Sequence, residues 1–229
     1  RQAQGQRDRR HPVDRCRQHA VKVASWGADA VVVQGGEGGG HTGGVATTLL
    51  LPSVLDAVDI PVVAGGGFFD GRGLAAALSY GAAGVASRWA PASCSPATRR
   101  CPDSVKQEYL KRSLTDTTVS VKVDGMPHRV LNTELVNALE KSSYAKGLVA
   151  ATKNAMKFKA MTGMKWSTLA KDGLAMKKSG DRTWQQIIMA ANTPMLLKAG
   201  LVEGNTEAGV LASGQVVGMI DDTCPAARN

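Results

Sequence analysis

Aromatic residues are scarce, at 4% of the chain, and Trp89 is the only one inside an arginine-rich stretch. Proteins that hold single-stranded nucleic acid stack bases on aromatics interleaved with basic groups, so the net charge of +9 does not by itself suggest such a partner. That charge is also local. Residues 1–20 hold six arginines against Asp8 and Asp14, residues 87–101 add Arg88, Arg99 and Arg100, and the remainder is nearly balanced. No nucleic-acid partner is expected. The four cysteines, Cys16, Cys94, Cys101 and Cys224, form no CxxC pair and stand near no histidine pattern. Neither a zinc site nor a disulfide framework is expected from them, and no metal is assigned. No run approaches the roughly 18 apolar residues that span a bilayer. A secretory leader pattern is missing too, so a soluble, cytoplasmic protein with no membrane partner is expected. A solenoid-type internal repeat is absent.

What the chain does have is a hydrophobic content of 43%, enough for one substantial core. Ala28-Asp29-Ala30-Val31-Val32-Val33 is a short β-branched run that predicts a strand buried on both faces. It leads into a glycine-dense loop, 35–43, then a helix over 49–58 with Pro52 near its start. A second strand, Ile60-Pro61-Val62-Val63-Ala64, runs into Gly65-Gly66-Gly67. Asp70 is placed to cap the amphipathic helix over 74–80, and Gly81 suits its C-terminus. A third strand begins at Gly84-Val85-Ala86. Apolar strands alternating with helices predict a parallel α/β sheet. Beyond Asp103 the pattern becomes mainly helical (103–112, 133–140, 145–161, 184–191), with one polar β-like piece at 117–123, a turn at 124–127 and a loop over 205–218.

Two successive strands thus end in glycine clusters. Glycine lets backbone approach a ligand closely, and loop N–H groups at a strand end bind phosphate. The alternative is a pair of tight turns without a ligand. Neither cluster is a Walker loop, since no Gly-Lys-Ser/Thr follows, and no GxGxxG opens a helix. His41 sits among glycines just after a strand, where an imidazole can serve as a base; the alternative is a solvent-facing loop histidine. Gln34, at the strand terminus, carries an amide able to bond a planar heterocycle. His128, beside Arg129, reads as surface or structural, and Glu37 as a loop carboxylate without a specific task.

The segment 27–35, followed by Glu37 and by Gly39-Gly40-His41-Thr42-Gly43, resembles the signature of nitronate monooxygenases, formerly called 2-nitropropane dioxygenases. Residues 60–67 with Asp70-Gly71-Arg72-Gly73 resemble the same family's FMN-phosphate loop, and flavin-dependent enoyl-ACP reductases share both motifs. The resemblance continues through 103–222. It implies a partial (β/α)₈ TIM barrel with a C-terminal mainly helical segment: 1–102 as the C-terminal part of the FMN-binding barrel, and 103–229 as a substrate-side region returning to it. It implies FMN as cofactor, His41 as the catalytic base, Gln34 and Gly39 as flavin contacts, and Gly66 and Gly67 as phosphate contacts. The implied reaction is oxidation of alkyl nitronates by O₂ to a carbonyl compound and nitrite. The alternative is an NAD(P)H-dependent flavin oxidoreductase acting on an enoyl or steroid-derived acyl thioester. A homo-oligomer is left open, and the family's first barrel strands are expected upstream of residue 1.

After Ala86 the family has a Met-Gly-Thr-Arg-Phe-like segment, which residues 87–101 lack. One choice of codons for these residues, read two bases later, spells Ala-Met-Gly-Thr-Arg-Phe-Leu-Leu-Thr-Ser-Asp-Ser-Thr-Val. A similar offset fits the first residues. Both arginine-rich stretches, 1–20 and 87–101, are therefore expected to be out of frame.

Overall fold

The computed structural model describes residues 12–86, 102–143, 183–190 and 192–220, with scattered positions between 147 and 177. The expected helix over 145–161 falls largely outside the described residues, as do 87–101 and three of the four cysteines; Cys16 is a free thiol. Two compact units are present: residues 1–38 with 42–88, and residues 39–41 with 89–229.

The first unit is a short parallel sheet flanked by helices. Strands β1 (Val31–Gln34) and β3 (Val62–Gly65) pair in parallel from Val31↔Val62 to Gln34↔Gly65, and β4 (Gly84–Ala86) pairs with β3 on the other side. Parallel neighbours require crossovers, supplied by helices α2 (Thr47–Leu55) and α3 (Gly71–Ser79). Helix α1 (Pro12–Ser25) precedes β1. Val33, Leu50, Leu51, Val54, Val62 and Ala64 form the centre of the core. Fully burying a leucine such as Leu51 contributes about 2 kcal/mol. The strand expected to be buried on both faces is not: Val33 is buried, but Val32 points to the opposite face and is 62% exposed. Its side chain alternates away from the face that α1 and α2 cover.

Local chemistry sets the helix starts. As expected, Asp70 caps α3, its carboxylate accepting from the Arg72 and Gly73 N–H groups at 3.0 and 3.4 Å. Helix α2 has no cap at its preceding residue, Ala46. Glu37 does that work instead: its carboxylate accepts from the Thr47 N–H at 3.1 Å and from Thr47 Oγ1 at 2.7 Å. The loop carboxylate expected to be idle therefore joins the first glycine loop to the helix that follows.

Helices dominate the second unit, as expected, and the β-like piece at 117–123 opens a small antiparallel sheet. Strands β5 (Thr117–Ser120) and β6 (His128–Leu131) are antiparallel, and β2 (Gly40–His41) pairs with the other edge of β6, giving the order β2-β6-β5. Helix α4 (Asp103–Leu110) buries Val105 and Tyr109. Helix α5 (Glu134–Lys141) starts at Thr133, whose hydroxyl accepts from the Val136 N–H. The 205–218 segment is largely irregular, as expected, and packs inward. Val210, Leu211 and Ser213 are buried, Ala212 bridges to Val130 in antiparallel fashion, and Ala212 O accepts from the Tyr109 hydroxyl at 2.8 Å. No described helix is long and apolar enough to cross a membrane.

Candidate active site

Strand pairing brings His41 and His128 opposite each other, as the register β2–β6 runs His41↔His128. Their ring centroids are 4.6 Å apart, with planes tilted by 43°. Asp124 completes the group. It belongs to the turn between β5 and β6, where Gly125 takes a left-handed conformation (φ +84°) and the Met126 N–H folds back onto Asp124 Oδ1 at 3.1 Å. The other carboxylate oxygen, Oδ2, lies 2.6 Å from His41 Nε2, 2.7 Å from Thr193 Oγ1 and 3.5 Å from His128 Nδ1. Thr193 arrives on a short helix, Asn192–Leu197. The turn itself is held from outside by Gln186, whose side-chain amide donates to Gly125 O at 3.0 Å.

Burial is asymmetric. The Asp124 and His128 side chains are almost completely enclosed, while the His41 side chain is half exposed. Burial pushes the Asp124 carboxyl up; the His128 ring, Thr193, the Met126 N–H and His41 outweigh it and hold the group well below the usual carboxylate range. Asp124 is therefore an anion, so the short contact has His41 Nε2–H donating to it. That tautomer leaves the lone pair on Nδ1. An exposed imidazole braced by a buried carboxylate can take up and return a proton. Of the two readings of His128, surface or structural, burial excludes the first: it is 2% exposed, on β6 between β2 and β5. Its Nδ1 faces Asp124 Oδ2 at 3.5 Å, and among the described residues neither ring nitrogen has a hydrogen-bond partner of ordinary geometry.

Asp124, His128 and Thr193 were not legible as site residues. His41 and Asp124 are 83 positions apart, and only the pairing of β2 with β6 brings them together. The local signals were the Asp-Gly turn and the Asp–His spacing of four, both common in ordinary hairpins.

The remaining expected residues fall in different places. Gly39 lies in the second unit, where a Cβ would come within 2.5 Å of the Gly214 backbone nitrogen; close packing alone thus requires glycine. Gln34 ends β1 in the first unit, and its side chain lies where a Cβ on Gly38 would be. Gly66 and Gly67 follow β3 in consecutive left-handed conformations, φ +88° and +78°. Neither N–H donates a hydrogen bond among the described residues. Two adjacent unpaired donors at a strand end suit a phosphate, so this loop fits the FMN phosphate that the resemblance implies. A Cβ on Gly66 would crowd Gly35 and Gly38, which ties the two glycine loops together.

The family model for nitronate monooxygenase matches residues 15–228. The chain belongs to the nitronate monooxygenase family. This is a family of flavin-dependent oxidoreductases. Among its curated relatives, a protein of Rhodococcus jostii is 80% identical over 208 residues, covering 90% of the chain and 58% of the relative. It is named (3aS,4S,5R,7aS)-5-hydroxy-7a-methyl-1-oxo-octahydro-1H-indene-4-carboxyl-CoA dehydrogenase. A Mycobacterium tuberculosis protein of the same name is 65% identical, with 89% of the chain and 58% of the relative covered. A probable nitronate monooxygenase of Staphylococcus saprophyticus is 32% identical over 133 residues, 53% of the chain and 37% of that protein. The chain thus spans 58% of the length of the two CoA-ester dehydrogenases. Among solved structures, a FabK variant from Thermotoga maritima superposes with a TM-score of 0.61 at 29% identity, covering 90% of the chain and 50% of FabK. Nitroalkane oxidase from Streptomyces ansochromogenes gives 0.62 at 23% identity, with 90% and 51% covered, a likeness of fold. These neighbours support the partial-barrel α/β assignment.

Proposed function

We propose that the intact protein is an FMN-dependent oxidoreductase acting on the CoA thioester of a fused-ring carboxylic acid, with His41 as its proton-handling group. The observation that carries the chemistry is the 2.6 Å bond from His41 to the buried Asp124 carboxylate. The substrate class is supported by the relatives at 80% and 65% identity, both named for a bicyclic carboxyl-CoA. Nitronate oxidation, the first expectation from the motifs, has support from names at 32% identity over about half the chain. The thioester reading is therefore preferred.

A thioester carbonyl acidifies the hydrogen on its α-carbon, and dehydrogenation next to it requires that proton to leave. His41 Nδ1 is the acceptor. Asp124 holds the ring in the required tautomer and offsets the positive charge that the imidazole gains, and Thr193 together with the Met126 N–H keeps Asp124 oriented. Gly66 and Gly67 would hold the phosphate end of FMN through their N–H groups. Gln34 and Gly39 are proposed flavin contacts by resemblance. FMN, when bound, would supply the two-electron redox chemistry, and a dehydrogenation needs an oxidant, O₂ or NAD(P)⁺, to take those electrons away.

The test is anaerobic mixing of the FMN-loaded intact gene product with a bicyclic carboxyl-CoA or with an alkyl nitronate. Loss of the oxidised flavin absorbance with the thioester, and none with the nitronate, is expected. The reverse pattern would restore the nitronate reading.

A further inference from the structure

His128 presents an unusual arrangement. It is buried, yet Nδ1 is 3.5 Å from Asp124 Oδ2 and Nε2 has no partner among the described residues. A buried imidazole nitrogen without a hydrogen bond costs about 1–3 kcal/mol. A ligand at that nitrogen offsets such a cost. His41 and Asp124 stand beside it: one ligand-capable atom each of His41, Asp124 and His128 lies within 4.8 Å of the others, His128 Nδ1 being 3.5 Å from Asp124 Oδ2.

We propose that His41, Asp124 and His128 form a binding site for a divalent transition-metal ion of the zinc class. Two imidazoles and one carboxylate are a donor set that such ions favour and that hard magnesium and calcium do not. Bonds of about 2.0–2.2 Å place the ligand atoms of one ion roughly 3–3.5 Å apart. For His41 Nε2 to ligate, its proton must pass to Nδ1, the 2.6 Å contact with Asp124 must open slightly and the wider spacing, up to 4.8 Å, must close. His41 can turn to do this because its side chain is half exposed. The carboxylate is already braced as a ligand: Oδ1 is engaged by the Met126 N–H, and Thr193 Oγ1 orients Oδ2 from behind. Three protein ligands leave a further position for water or an incoming group. The site shares His41 with the proton-transfer reading, so a bound ion would compete with that role. Metal binding is read directly, and its failure would leave the oxidoreductase reading standing.

The experiment is equilibrium dialysis of the full chain against Zn²⁺, with Co²⁺ as a spectroscopic probe and Mg²⁺ as control. One Zn²⁺ per chain is expected, with a Co²⁺ visible band of a nitrogen- and oxygen-ligated ion and no Mg²⁺ uptake. His41→Gln, on a half-exposed side chain, should weaken zinc binding at least tenfold while leaving the far-ultraviolet spectrum unchanged. His128→Gln should do the same if it folds; if it does not, His41→Gln decides. His19→Gln, an exposed histidine on α1, should change nothing. Zinc uptake equal in the parent chain and His41→Gln, or no uptake at all, would overturn the proposal.

Discussion

His41 Nε2 and Asp124 Oδ2 lie 2.6 Å apart, joining a half-exposed imidazole to a carboxylate that is almost wholly buried. Strand pairing sets this contact: β2 contributes only two residues, and its second is opposite the first residue of β6. The chemistry assigned to the chain rests on it.

Replacing Asp124 with asparagine keeps the shape but removes the charge that selects the His41 tautomer. In the intact FMN-loaded protein, kcat for the thioester should fall by about 10²-fold or more, with a smaller change in KM. Steady-state kinetics reads the split. A change confined to KM would make Asp124 a substrate-binding group instead.

The same carboxylate links stability to pH. Its folded pKa is depressed below the unfolded value, so its contribution is fully present above the usual carboxylate range. That contribution falls as acid takes the pH through that range, near about 4, towards the folded pKa. Urea midpoints measured across acid pH should drop steeply in the parent chain and less steeply in Asp124→Asn. Equal slopes would contradict the depressed pKa.

Glu37→Ala should destabilise the first unit by about 1 kcal/mol, since it removes the acceptor for the Thr47 N–H at the start of α2, while the Thr47 hydroxyl can still reach Gly66 O at 3.1 Å. Chemical denaturation of the parent and variant measures the difference. A change near zero would mean that water satisfies Thr47 equally well.

The first unit was largely legible in the sequence, and the reason is local. Apolar β-branched runs, glycine clusters and the Asp70 cap act over a few residues, so β1, β3, β4 and α3 fall close to their expected places. Val32 shows the limit: an apolar run does not reveal how many of its faces will be covered. His41 was visible because it stands among glycines. Its partners were not, because β2 is too short to carry a strand signal and its pairing with β6 is long-range. His128 read as surface or structural, with no part in the site, for the same reason. Its neighbours in sequence are polar, whereas its neighbours in space are Asp124 and His41.

Gly66→Ala should weaken FMN binding in the intact protein. Alanine in the left-handed conformation costs about 1–2 kcal/mol, and its Cβ would crowd Gly35 and Gly38. Because the loop is assigned to the phosphate, riboflavin should bind the parent and variant alike. Fluorescence titration with both flavins checks this. An equal loss for riboflavin would place the effect on the ring rather than the phosphate.

Residues 87–101 lie outside the described structure, and their frame offset is a proposal about the gene. A fresh nucleotide read across those codons should show an insertion or deletion that restores Met-Gly-Thr after Ala86. Synonymous codons that cannot yield that segment in any frame would refute it.

The most direct measurement is hydrogen exchange at the α-carbon of a bicyclic carboxyl-CoA, followed by NMR in D₂O with the intact protein. It reports proton transfer separately from flavin reduction. Exchange should be catalysed by the parent protein, fall by about 10²-fold or more in His41→Gln, and fall less in Asp124→Asn. Exchange that proceeds unchanged in His41→Gln would contradict the assignment of His41 as the base.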